Sequence, residues 1–217
     1  MTDLPLFPLG TVLFPGMPLS LHIFEPRYRE MMNYCIQEKK PFGVCLIEKG
    51  QEVGSPAQPH LVGCMAQISQ VRPLEDGRMN MVAMGSDRFR IDSLDFSQSY
   101  LVGNVTSIPI QGDVTAVTEK RSHHLRVVLT EYLDVLSNVG EVQFNLSRLP
   151  DDPLELAYLT AALLQAPTYD KQKILEIDDV STLVNHVYDI CRREIPLLRQ
   201  MISPPIQPAS EGMFSLN

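Results

Sequence analysis

Residues 4–34, LPLFPLGTVLFPGMPLSLHIFEPRYREMMNY, constrain this chain more than any other stretch. Pro15, Gly16 and Pro18 suit a turn and interrupt a β-ladder, because proline offers no N–H and glycine tolerates the φ values that turns require. Leu19, Leu21 and Ile23 then alternate with Ser20 and His22, the period of a strand with one buried face. Pro26 fits the first position of a helix, where its fixed φ is pre-set and its missing N–H is not needed, so Glu25 stands at or beside the cap. Beyond it Tyr28, Met31, Met32, Cys35 and Ile36 recur at helical spacing, with Arg27, Arg29, Glu30 and Gln37 on the other face. That pattern predicts an amphipathic helix packed on a sheet.

The chain continues in strands. FGVCLIE, residues 42–48, is a near-continuous apolar run suited to an interior strand. Residues 49–60, with Gly50, Gly54, Pro56 and Pro59, read as a polar loop. Cys64, Ala66 and Ile68 alternate along residues 63–71, Asp76-Gly77 supplies a hairpin turn, and Met79, Met81 and Ala83 alternate on the return. A further strand after Gly85 is predicted to set Phe89 and Ile91 inward and Arg88, Arg90 and Asp92 outward. Residues 99–109 give the last strand.

After residues 110–116 the period becomes helical. Val117, Leu125, Val128, Leu129, Tyr132, Leu133 and Leu136 predict a long helix ending near Asn138-Val139-Gly140. Asp152, Pro153 and Glu155 form a strong helix start for a segment apolar nearly all round. DKQKILE reads as a short turn. Asp178 or Asp179 opens a last helix in which Pro196 is expected to cause a kink or an end. The Pro-containing tail reads as disordered.

LPLFPLGTVLFPG, IFEPRYREM and the later VGCMAQISQVRPLEDGRMNMVAMGSDRFRI resemble the Lon N-terminal domain family, and more specifically its stand-alone members. LLQAPTYDKQKILEID through REIPLLRQ extends the likeness to about residue 202. The resemblance implies an α+β fold, a PUA-like β-barrel with one early helix followed by a C-terminal α-helical bundle. The expected division is 1–112 for the barrel, 113–203 for the bundle and 204–217 for the tail.

Composition bounds the partners. A net charge of −8 opposes binding to a phosphate backbone, so nucleic acid is disfavoured. No apolar run reaches the length of a membrane span, and MTDLPLFPLG lacks the basic n-region of a signal peptide. Cys35, Cys45, Cys64 and Cys191 sit in apolar runs without a C-x-x-C spacing and read as buried free thiols of a reducing, cytoplasmic setting.

Chemical motifs are scarce. The sequence has no G-x-x-x-x-G-K-[ST] phosphate loop and no G-x-S-x-G elbow. His123-His124 points two rings about 100° apart on a helix, and His186 with Asp189 lacks further ligands, so no metal and no cofactor is expected. The resemblance implies a non-catalytic module that binds exposed apolar segments of unfolded or partly folded polypeptides. The expected groove edge is His22, Phe24, Arg27, Tyr28, Met65, Met79 and Arg88, methionine being adaptable to many partners. For the arginines, solvation of an outer face or pairing with Glu25, Glu30 and Asp92 is the alternative reading. Competing functions are a scaffold docking on a protease or chaperone, a stand-alone peptidase, and RNA binding suggested by the PUA-like fold alone.

Overall fold

The structure, a computed structural model, describes residues 2–51, 57–139 and 149–202. The expected tail lies outside them, as do residues 52–56 of the expected 49–60 loop, with Gly54 and Pro56. Seven strands precede four of the five helices: β1 (Thr2–Leu9), β2 (Pro18–Ile23), α1 (Pro26–Glu38), β3 (Phe42–Lys49), β4 (Gln58–Pro59), β5 (Val62–Pro73), β6 (Met79–Asp95), β7 (Leu101–Ser107), α2 (Ala116–Val139), α3 (Pro153–Leu163), α4 (Thr168–Leu175) and α5 (Val180–Ile202). The architecture is α+β, as the resemblance implied.

The sheet runs β1-β7-β6-β5-β3-β4, and a parallel β1–β3 pairing closes five of its strands into a ring. β1 is the strand that the prolines concealed. It pairs with β7 over Thr2–Leu6 and is handed to β3 over Leu6–Leu9. Pro5 therefore lies where only β7 is paired, and Pro8 where only β3 is paired, so each missing N–H falls in a one-sided part of the strand.

Alternation sorts the strand side chains into two clusters. Leu4, Leu6, Cys45, Phe89, Ile91 and Val105 form one. Gly43 and Gly63 make room for it, since a Cβ at either position would stand 2.7 and 2.6 Å from the Phe89 ring. The other cluster joins Phe7, Phe42, Ala66 and Met81 to Tyr28, Met31, Met32 and Cys35 of α1. Ile36, expected with them, is 37% exposed. Burial of those four helix side chains contributes about 1.5–3 kcal/mol each, which holds α1 in place although Glu25, its N-cap, makes no side-chain capping bond.

β6 is one strand of 17 residues where two were expected. Its first half pairs with β2 and β5, its second with β5 and β7. The exchange occurs at Gly85, whose N–H donates to the Met17 carbonyl and whose carbonyl accepts from Gly16, both at 2.9 Å. Asp76-Gly77 makes the turn before it, with Gly77 at φ +80°.

The helices share a core of Leu125, Leu129, Tyr132, Leu156, Leu183 and Val187, which Phe14 and Val62 join from the strand half. Asp152 caps α3 by accepting from the N–H groups of Leu154 and Glu155, as its position before Pro153 indicated. α5 continues through Pro196 to Ile202. Val117 departs from its expected stripe at 78% exposure. Thr118 and Ser122 are buried instead, Thr118 bonding Ser181 at 2.6 Å, so the first turns of α2 meet α5 through hydroxyls.

Candidate functional site

β2, its exit and the first turn of α1 assemble an apolar depression. Phe24 is the first residue past β2, so it projects from the sheet, 48% exposed. His22 stacks on it with ring centroids 6.0 Å apart and is anchored across the β2–β6 ladder by a 2.7 Å hydrogen bond between Nδ1 and Asn80 Oδ1. Pro26 directs the chain into α1 so that Tyr28 turns inward, its ring 4.3 Å from that of Phe7. The Arg27 guanidinium lies 4.5 Å over the Tyr28 ring and bonds Glu25 at 3.0 Å, which neutralises the rim. Between them lies a hollow of about 220 Å³ walled by Phe7, Leu9, Leu21, Phe24 and Tyr28.

Tyr28 and Arg27 also wall a second hollow of about 130 Å³, with Phe96, Gln98 and Tyr100 on its far side. Phe96 is 63% exposed. Burial raises the Tyr100 hydroxyl's pKa, so that phenol stays neutral. The result is a track with exposed phenylalanines at both ends and little net charge between them.

The expected groove edge divides. His22, Phe24 and Tyr28 meet at the first hollow and Arg27 at the second. Met79 is buried opposite Ile23 in the cluster beneath them, whereas Met65 packs on the separate Phe89 cluster. Arg88 is a correction, for it reaches no groove. Its side chain is 2% exposed and donates to the carbonyls of Leu175, Ile177 and Ile108 and to Asp178. The outward orientation expected from alternation failed because helices cover the second face of this part of β6. Phe7, Leu9, Phe96 and Tyr100 were not anticipated. Phe96, a lone aromatic in the polar loop DFSQS, carried the only legible signal.

The chemistry of this surface is that of contact. The pKa of each cysteine is pushed up by burial: Cys35 to about 11, Cys64 and Cys191 to about 12, and Cys45 further in the same direction. Thiolate nucleophiles need the opposite setting. Among the described residues no group of three His, Cys, Asp or Glu side chains could hold a metal ion, and no helix is long and apolar enough to cross a membrane.

The family model for the ATP-dependent protease La (LON) substrate-binding domain matches residues 3–193. The chain belongs to the Lon substrate-binding domain family. Among its relatives, the Lon protease of Methylocella silvestris is 26% identical over 191 residues, which are 88% of this chain and 24% of that protein. The Lon protease of Paraburkholderia phytofirmans is 28% identical over 193 residues, again 88% of this chain and 24% of the relative. The chain thus spans about a quarter of the length of these relatives, and the match includes neither a peptidase nor an ATPase domain. Among solved structures, the Lon N-terminal domain protein from Xanthomonas campestris superposes with a TM-score of 0.66 at 26% identity, covering 87% of this chain and 98% of that one. The N-terminal domain of the Mycobacterium avium complex Lon protease gives 0.68 at 18% identity, covering 88% and 98%, a likeness of fold.

Proposed function

We propose that this Lon-family substrate-recognition module binds exposed apolar segments of unfolded or partly folded polypeptides and does so without catalysis. The observation that carries this reading is the track from Phe24 across Tyr28 to Phe96, where two phenylalanines about half exposed flank hollows whose one nearby guanidinium is already paired. An uncovered apolar surface of this kind costs solubility unless it is used. Phenylalanines and a rigid tyrosine supply much contact area at little cost in conformational entropy. The buried, protonated cysteines support the non-catalytic part, as does a family match that includes neither a peptidase nor an ATPase domain.

The test is to add purified chain to a fluorescently labelled unfolded protein without ATP, following anisotropy and fragment formation together. Anisotropy that rises with no fragments supports the reading. Fragments that co-elute with the chain and vanish on a point substitution contradict it.

A further inference from the structure

We propose that the polypeptide segment is held as an added β-strand, lying along the open edge of β2 in the seam between β2 and the end of β1. The inference rests on the binding reading above and specifies its geometry.

The seam follows from the topology. β1 leaves β7 at Leu6 and continues on β3 through Leu9, so Phe7–Leu9 are paired on one side only. β2 pairs with β6, and among the described residues no second strand pairs with it. The 220 Å³ hollow lies between these two one-sided segments, walled by Phe7 and Leu9 on one side and by consecutive residues of β2 on the other.

Hydrogen-bond phase shows what the edge offers. In an antiparallel ladder, pairs that exchange main-chain bonds alternate with pairs that do not. The bond from the Gly85 N–H to the Met17 carbonyl brackets Pro18 and Met84 as a non-exchanging pair, in keeping with a proline that has no donor. Leu19, Leu21 and Ile23 therefore exchange bonds with Ala83, Met81 and Met79, and the N–H and C=O groups of Ser20 and His22 point away from β6. Both residues are exposed. An extended backbone is the ligand that such alternating donors and acceptors fit, and main-chain bonds of this kind are indifferent to sequence, as recognition of many unfolded chains requires.

Side chains add selectivity. Alternate residues of an added strand would share the face of Leu19 and Leu21 and fill the hollow, while the others would stand beside Ser20 and His22. Charge favours a basic flank. The hollow beyond Phe96 adjoins, through Gln98 and Tyr100, a larger depression bearing Asp3 and Asp95, whose one ammonium, Lys40, is engaged by the Tyr34 hydroxyl. The whole chain carries −8. The occupant is thus an extended segment with apolar residues at every second position and lysine or arginine beside it.

The probe is a synthetic peptide whose six central residues, matching β2 in length, alternate phenylalanine with threonine after two lysines. A series in which each backbone amide is N-methylated in turn is titrated against the intact chain. Affinity is expected to fall about five- to tenfold at every second position and little at the positions between. Amide exchange at Ser20 and His22 is expected to slow at least about tenfold when the peptide binds. Binding with no period of two, or without protection of these amides, would overturn strand addition while leaving apolar recognition intact. Absence of any binding would overturn both. Concentration-dependent protection of the same amides without peptide would assign the edge to a second copy of this chain and would also overturn the proposal.

Discussion

Replacing Arg88 by methionine isolates the contact that joins strands to helices most directly. The guanidinium reaches from β6 to the C-terminal end of α4, where the carbonyls of Leu175 and Ile177 have no helical N–H to accept from; it bonds them at 2.8 and 2.5 Å, and also takes the Ile108 carbonyl at 3.1 Å. The cation further suits the negative end of the helix dipole. Its ion pair with Asp178 is the lesser part, because that carboxylate is 56% exposed and screened by water. Arg88→Met fills similar volume but leaves three carbonyls without their charged donor. Leaving buried acceptors without a donor costs about 1–3 kcal/mol each, so the three carbonyls together put the loss at about 3–5 kcal/mol once partial relaxation is allowed. At about 2–4 °C per kcal/mol for a chain of this size, the melting temperature should fall by roughly 10 °C. Urea unfolding read by circular dichroism gives the free energy, with Arg90→Met, at an exposed position of the same strand, as the control. A loss below about 1 kcal/mol, or one no larger than the control's, would refute the assignment of Arg88 as the tie between the two halves.

Gly63→Ala should destabilise the chain by about 1–3 kcal/mol, since the new methyl would stand 2.6 Å from both Phe89 Cζ and the Val44 carbonyl oxygen, and the latter is backbone that cannot swing away. Unchanged denaturant midpoints would contradict that packing. Asp152→Ala should cost about 1 kcal/mol through loss of the α3 cap, checked by the same unfolding curves. Alkaline pH should weaken the fold. Burial raises the cysteine pKa values from 9.0 to about 11 for Cys35 and about 12 for Cys64 and Cys191, so their contribution is complete below pH 9 and is lost as pH rises through 11–12. A midpoint that stays flat between pH 8 and pH 11 would oppose this, as would fast labelling of the folded chain by a thiol reagent at pH 8.

Local patterns that answer to a single buried face were legible in the sequence. Leu19, Leu21 and Ile23 gave β2, Pro26 with the Tyr28–Cys35 stripe gave α1, and Asp152-Pro153 gave the start of α3, because capping and amphipathic spacing act within a few residues. Features decided by distant segments were not. β1 was hidden because prolines speak against a strand unless its pairing is one-sided, and that depends on β7 and β3. Arg88 was misplaced because alternation assumes one wet face, which the end of α4 covers. Half of the candidate site was readable for the same reason: His22, Phe24, Arg27 and Tyr28 are neighbours along the chain, whereas Phe96 and Tyr100 are brought to them by folding.

The central claim is that polypeptides dock along the track from Phe24 to Phe96. Its most direct test is to titrate an isotope-labelled chain with an unfolded polypeptide and record which backbone amides respond. The result expected is a set of perturbed amides concentrated at His22, Phe24, Tyr28 and Phe96, with binding lost in Phe24→Ala while the fold is retained. Perturbations gathered at other exposed apolar residues, such as Val127 and Tyr169, would contradict it.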